Sequence, residues 1–209
     1  MPSKRFKKLP KETKDLSPET IDKILNTVKL NCTTKFDESI DLSFRINNKQ
    51  KKNEINLRTV VNLPGGTGKS IKVAVVCEEG KAEEAKSAMA DLVGGDELVE
   101  KIKNGDINFE KLICTPSMMI KLSKLGKVLG PKGLMPNPKL GTVTNEIAKA
   151  VKESKAGQVE IRNDKDGNIG LSIGNKSFPD DKLIMNFNAV LDALEKEKTN
   201  YTIKGDLIK

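Results

Sequence analysis

The sequence predicts a two-lobe α/β protein in which a strand-and-helix segment is inserted into an outer α+β lobe. Three observations lead there. Apolar residues recur at every second position in 36–46 and 158–173, which is strand spacing. Between 71 and 155, short apolar runs alternate with helical periodicity, the rhythm of a mostly parallel sheet. The two places where one pattern yields to the other, 65–68 and 155–157, both carry glycine, as a hinge requires. The predicted division is therefore 1–67 with 156–209 as the outer lobe and 68–155 as the insert.

Taken in order, residues 1–14 form a basic arm with Lys4, Arg5, Lys7, Lys8, Lys11 and Lys14 against Glu12. Ser17-Pro18-Glu19 supplies an N-cap, a first-turn proline and an acid at the positive end of the helix dipole. The helix that follows runs to about Leu30, with Ile21, Ile24, Leu25 and Val28 on one face. From Lys35 the period becomes two: Phe36, Ile40, Leu42, Phe44 and Ile46 on one side, polar residues on the other. Residues 47–56 are polar and lysine-rich, a loop, and 57–63 form a second strand. Pro64-Gly65-Gly66-Thr67-Gly68-Lys69-Ser70 resembles a phosphate-binding loop, but Leu63 stands where that motif needs its first glycine. A β-branched run, not a helix, follows, so a glycine turn between strands is the better reading.

Within the insert, 71–77 is a buried strand, and 81–91 is a helix with Ala82, Ala85, Ala88, Met89 and then Leu92 inward. Leu98, Val99 and Ile102 mark another helix. Leu112, Ile113 and Cys114 form the next strand. Thr115-Pro116 opens a helix through Met118, Met119, Leu122 and Leu125 that Gly126 should stop. The stretch 126–144 then carries Pro131, Pro136 and Pro138 among Gly126, Gly130, Gly133 and Gly141, so neither helix nor strand should persist. Val128, Leu129, Leu134, Met135 and Leu140 sit between Lys127, Lys132 and Lys139. This reads as a shaped loop that packs down while presenting ammonium groups; a plain connection between helices is the other reading. Thr144 starts a helix to about Ser154. Strands at 158–163 and 168–173 are joined as a hairpin by the Asp166-Gly167 turn. Phe178-Pro179-Asp180 opens a helix whose inner face is Leu183, Phe187, Val190, Leu191 and Leu194, and 201–208 closes as a strand.

Composition narrows the chemistry. A net charge of +8 favours polyanionic partners. Aromatic content of 3%, without tryptophan, argues against a stacking platform for single strands and for recognition of shape and backbone. The absence of histidine removes the usual triads and imidazole metal ligands, and Cys32, Cys77 and Cys114 lack zinc spacing. They read as reduced core thiols of a soluble cytoplasmic protein, and no stretch is apolar enough to span a membrane. The acid pairs Glu78-Glu79, Glu83-Glu84 and Asp180-Asp181 sit where dipole complementarity accounts for them. No enzyme, cofactor or metal site is predicted.

The run from Met118 to Thr144, centred on Gly126–Thr144, closely resembles the signature of the bacterial-type large-subunit ribosomal protein L-one family. Further landmarks follow in the family's order: Lys35-Phe36-Asp37-Glu38-Ser39, 63–69, 92–95, 155–157, Arg162-Asn163-Asp164-Lys165 and 174–178. The resemblance implies a discontinuous outer domain with a split antiparallel sheet and an inserted Rossmann-like α/β domain. It also implies a monomer off the ribosome that binds large-subunit rRNA in the mobile stalk, helps exit-site tRNA leave and represses its own mRNA. A mainly free mRNA-binding repressor is the alternative. Carried over by position, the RNA-binding residues are Lys35, Phe36, Glu38, Ser39, Ser172, Gly174, Asn175, Lys176 and Ser177, with Lys127, Lys132 and Lys139 facing tRNA or rRNA. Phe36 has a second reading as a core residue, since it shares a face with Ile40 and Leu42. Departures are Gly170 where the family has His, Asn175 where it has Lys (with Lys176 next to it), and 47–52 without the usual Gly and Asp-Pro. The family pattern also continues past Lys209 into a Thr-Met-Gly motif of the RNA surface that this sequence lacks.

Overall fold

A computed structural model of the protein describes residues 20–46 and 57–200. The basic arm, Ser17-Pro18-Glu19, the loop 47–56 and the predicted strand 201–208 lie outside the described residues. Helix α1 spans Ile21–Asn31, with Thr20 in extended backbone at its N-cap. Leu25 is buried and Ile21 packs against the same cluster, while Ile24 and Val28 stay 48% and 37% exposed. Residues 21 and 25 lie on one ridge of the helix and 24 and 28 on the next. The predicted apolar face is thus only half used.

Strands β1 (Ser39–Arg45) and β2 (Arg58–Asn62) follow. They do not pair with each other. β1 runs antiparallel to β7 (Asn168–Asn175), from Arg45 opposite Asn168 to Ser39 opposite Asn175. β2 runs antiparallel to β6 (Gln158–Arg162). The Asp-Gly turn forms as predicted, with Gly167 at φ 81°, but β6 and β7 share no ladder, and the pairing of the two arms is limited to an Asn163–Ile169 bridge and the Asp164 N–H bond to Asn168 O (2.9 Å) beside the turn. Each arm of the expected hairpin is claimed by a distant strand instead. Period-two spacing defines a strand's two faces but not its neighbour.

Residues 64–72 carry the chain from β2 into strand β3 (Val73–Val76), with Gly66 and Gly68 at positive φ. β3 is the centre of a parallel sheet ordered β4-β3-β5, with β4 at Leu92–Gly94 and β5 at Lys111–Cys114. Strand β4 corrects the expectation that Leu92 belongs to a helix. Helix α2 spans only Ala82–Ser87, after a 3₁₀ turn at Glu79–Lys81. It ends where Met89 takes φ 61°, with Ala90 N–H donating to Ala85 O (3.2 Å) and Met89 N–H to Lys86 O (2.9 Å). That is the left-handed helix stop usually built on glycine, here on methionine, which is why apolar spacing reads straight through it. Met89 is 74% exposed rather than inward.

Helices α3 (Asp96–Lys103) and α4 (Pro116–Ser123) agree with the sequence. Gly126 does not stop α4. The helix lapses at Lys124-Leu125 and Gly126 opens a further turn, α5 (Gly126–Leu129), followed by a 3₁₀ turn at Pro138–Leu140. Val143 then bridges Cys114 in parallel and extends the sheet, and α6 covers Ile147–Lys155. Helix α7 (Asp180–Asn200) buries Leu183, Asn186, Val190 and Leu194.

Among the described residues, buried apolar side chains fall into three clusters. One is drawn from Leu25 to Leu63 and from Ile161 to Leu194. The other two, around Val76, Leu112 and Leu122 and around Val75, Ile113 and Val151, lie on opposite faces of the parallel sheet, as alternation along β3 requires. Cys77 and Cys114 are buried core thiols, whereas Cys32 is only partly buried, which corrects its reading as a core residue; none of the three forms a disulfide among the described residues, and burial pushes Cys114 up to about 11.

A cleft of about 290 Å³ separates Val60, Val159 and Glu160 from Leu112, Leu134, Met135 and Leu140. Across it the Lys111 ammonium donates to Gln158 Oε1. Burial pulls Lys111 down to about 8, against the opposing attraction of Glu160 and Glu153. Unfolding then takes up a proton between that value and the ordinary lysine range. The cost of Lys111 is fully present below about pH 8 and is relieved as pH rises above it. In urea unfolding, Lys111→Met should gain on the wild type most at about pH 7, with the advantage shrinking toward about pH 10.

Candidate RNA interface

Strand β1 begins only at Ser39, so 33–38 leaves the ladder and folds as a tight turn against the far end of β7. The Thr34 hydroxyl donates to Phe36 O (3.1 Å) and the Thr34 N–H to Glu38 Oε1 (3.1 Å). Across the strand end, Lys176 N–H donates to Glu38 O (2.8 Å). The Ser177 N–H and hydroxyl donate to the two Asp37 carboxylate oxygens at 3.0 and 2.6 Å. The Ser177 hydroxyl bond, opposed by some desolvation and helped by its N–H, holds the Asp37 carboxyl below the usual aspartate range. Asp37 is thus the clasp between the two strand ends, a role hidden in sequence because its partner lies 140 positions away.

The predicted residues Lys35, Phe36, Glu38 and Ser39 are brought together with Ser172, Gly174, Asn175, Lys176 and Ser177 by this pairing. Phe36 is 70% exposed, which removes its core reading: the turn carries the ring off the face shared by Ile40 and Leu42. Lys35, Ser39 and Ser177 are exposed beside it. The Ser172 hydroxyl turns back to Ile40 O (3.4 Å). The Lys176 ammonium reaches inward to Cys32 O (2.5 Å), which leaves it two further donors for an anion. Gly174 is buried at φ 153° against Leu183 and Phe178, so it shapes the strand end from beneath.

Lys127, Lys132 and Lys139 belong to another face. All three are exposed on the stretch 126–144, whose apolar side lines the cleft opposite β2 and β6. The stretch is held in shape from within. Asn137 N–H donates to Thr142 Oγ1 (2.7 Å), the Thr142 hydroxyl to Asn137 O (3.1 Å), and Lys139 N–H to Asn137 Oδ1 (2.9 Å).

Sequence reasoning passed over Asn186. It is fully buried on the inner stripe of α7, one turn beyond Leu183, and a polar residue inside an apolar stripe is the signal that could have found it.

Residues 28–209 match the model of the ribosomal protein L1p/L10e family. The chain is 73% identical over 209 residues to the large ribosomal subunit protein uL1 of Pelagibacter ubique, covering 100% of this chain and 91% of that protein. It is 47% identical over 208 residues to the protein of the same name from Mycoplasma capricolum, covering 99% and 91%. To the large ribosomal subunit protein uL1c of Arabidopsis thaliana it is 44% identical over 196 residues, covering 94% of this chain and 57% of that one.

Proposed function

The chain belongs to the ribosomal protein L1p/L10e family, and on that premise we propose that it binds folded large-subunit rRNA through the joined ends of β1 and β7. Its relatives are large-subunit ribosomal proteins, not enzymes, and the protein is a constituent of that subunit. The observation that carries the RNA reading is the 70% exposed Phe36 ring beside the Ser39 and Ser177 hydroxyls and Lys35. Such a surface offers an apolar face, hydroxyl partners for 2′-OH groups and a cation for phosphate, suited to a structured RNA. The basic net charge of +8 adds long-range attraction.

In this reading the division expected from the sequence holds, with 1–67 and 156–209 as the RNA-binding domain and 68–155 as an inserted Rossmann-like domain. The separation of the buried clusters supports the division, as does Lys155. Its ammonium bonds Asp91 Oδ2 (3.1 Å) and Met89 O, which ties the end of α6 to the insert and leaves Ala156-Gly157 as the join. The exposed Lys127, Lys132 and Lys139 give the insert a surface for exit-site tRNA or rRNA backbone. Stalk placement, tRNA release and repression of the protein's own mRNA complete the proposed role; a chain acting mainly as a free repressor would be recovered apart from ribosomal subunits.

The test is a salt titration of binding to a folded stalk-type rRNA fragment beside a scrambled RNA of equal length. Selective binding that outlasts non-specific binding as salt rises is the expected result; equal, salt-labile binding to both overturns the assignment. Phe36→Ala should weaken selective binding by about tenfold, in the range of one lost ring-to-base contact, while leaving the urea midpoint unchanged because the ring is exposed.

A further inference from the structure

We infer that the buried Asn186 side chain couples the RNA-facing strand end to the hinge between the two lobes, and so is a positioning residue for RNA binding. This rests on the reading that the β1–β7 end meets RNA. Asn186 Nδ2 donates to Ile173 O (2.7 Å) and to Gly66 O (3.0 Å), and its Oδ1 accepts from Gly65 N–H (2.8 Å). Two carbonyls on one side of the amide and one N–H on the other fix its orientation without ambiguity. A fully buried amide is tolerated only when its polar atoms are bonded, so the three partners hold one another in place through it.

Those partners belong to two different devices. Ile173 stands between Ser172 and Gly174 on the strand end proposed to meet RNA. Gly65 and Gly66 form the first join, and the second join is stacked upon it: a Cβ at Gly157 would lie 2.9 Å from Gly66 Cα, and Leu63 N–H donates to Gly157 O (3.2 Å). A parallel contact runs beside the amide. Gly68 abuts the Phe178 ring and Asn175 Nδ2 so closely that a Cβ there would stand 3.0 and 3.1 Å from them. A displacement of 172–177 on binding RNA therefore shifts the carbonyl that Asn186 holds, and the amide carries the shift to both joins. Linkage makes the effect mutual: whatever factor RNA adds to one hinge geometry, that geometry adds to RNA affinity.

Amide hydrogen exchange at Gly65 tests this in the full chain, with and without the folded rRNA fragment. Gly65 N–H is bonded to Asn186 and lies outside the proposed contact residues. The expected result is a slowing of its exchange by about tenfold on RNA binding in the wild type. In Asn186→Ala, RNA affinity should fall by about tenfold and the RNA-dependent slowing should vanish, which a merely structural residue would not produce. The proposal is overturned if RNA binds selectively yet leaves Gly65 exchange unchanged in the wild type, or if Asn186→Ala keeps the RNA response. Should that variant fail to fold, the wild-type measurement decides alone. Absence of selective binding, seen first in the isotherm, overturns the functional reading and this inference together.

Discussion

Gly174→Ala is expected to lower the unfolding free energy by roughly 2–4 kcal/mol and to remove selective RNA binding at temperatures where the chain is still folded. The residue sits at φ 153°, a conformation L side chains rarely adopt. An added Cβ would also stand 2.9 Å from both Leu183 Cδ2 and Phe178 Cδ2. Leu183 is fully buried, so it cannot swing aside without disturbing Ile173 and Val190 in the same cluster. Relief would come by lifting the strand end, which separates Asn175 from Ser39 and Ser177 from Asp37. Urea unfolding and the RNA isotherm read the two effects separately. Gly170→Ala, on the same strand with open space around it, is the control and should be nearly neutral.

Gly157→Ala should cost a similar roughly 2–4 kcal/mol, by a different route. At φ 105° its Cβ would meet Gly66 Cα at 2.9 Å, and Gly66 C and Leu63 O at 3.3 Å. All of these are backbone atoms, so no rotamer change can give way. The two joins would have to part, and the hydrogen bond from Leu63 N–H to Gly157 O would go with them. The measurement is calorimetry. A lowered transition, broadened or split as the contact between 63–66 and Gly157 is lost, is the expected outcome, and an unchanged transition would show that this contact contributes nothing to stability.

Much of this architecture was legible from local chemistry. Strands stand within the alternation expected over 36–46 and 158–173, though β1 starts only at Ser39 and β7 runs on to Asn175, and the parallel-sheet rhythm after Ile71 and the glycine turn at 64–70 appear as expected. The misreadings have particular causes. Met89 occupies a helix stop that glycine usually marks, so the helix was read too long and β4 was missed. The Asp166-Gly167 turn specifies a reversal, but the partners of β6 and β7 are set by β2 and β1, more than 80 positions away along the chain by the register. Phe36 continued an apolar alternation, and only the late start of β1 turned it to solvent.

The sequence by itself determined the family, the basic character and most of the element types, because composition, period and motif spacing are local properties of the chain, and the resemblance to the family named the residues that gather at the strand end. What only the tertiary structure decided is which of those residues face outward and which act from beneath: the Asp37 clasp on Ser177, the exposure of Phe36, and the Asn186 amide bonded to Ile173 on the strand end and to the Gly65-Gly66 turn at once. These rest on contacts between segments 13 to 140 positions apart. The free energy of such contacts depends on burial and on which partner satisfies each polar atom, and neither exists until the chain has closed on itself.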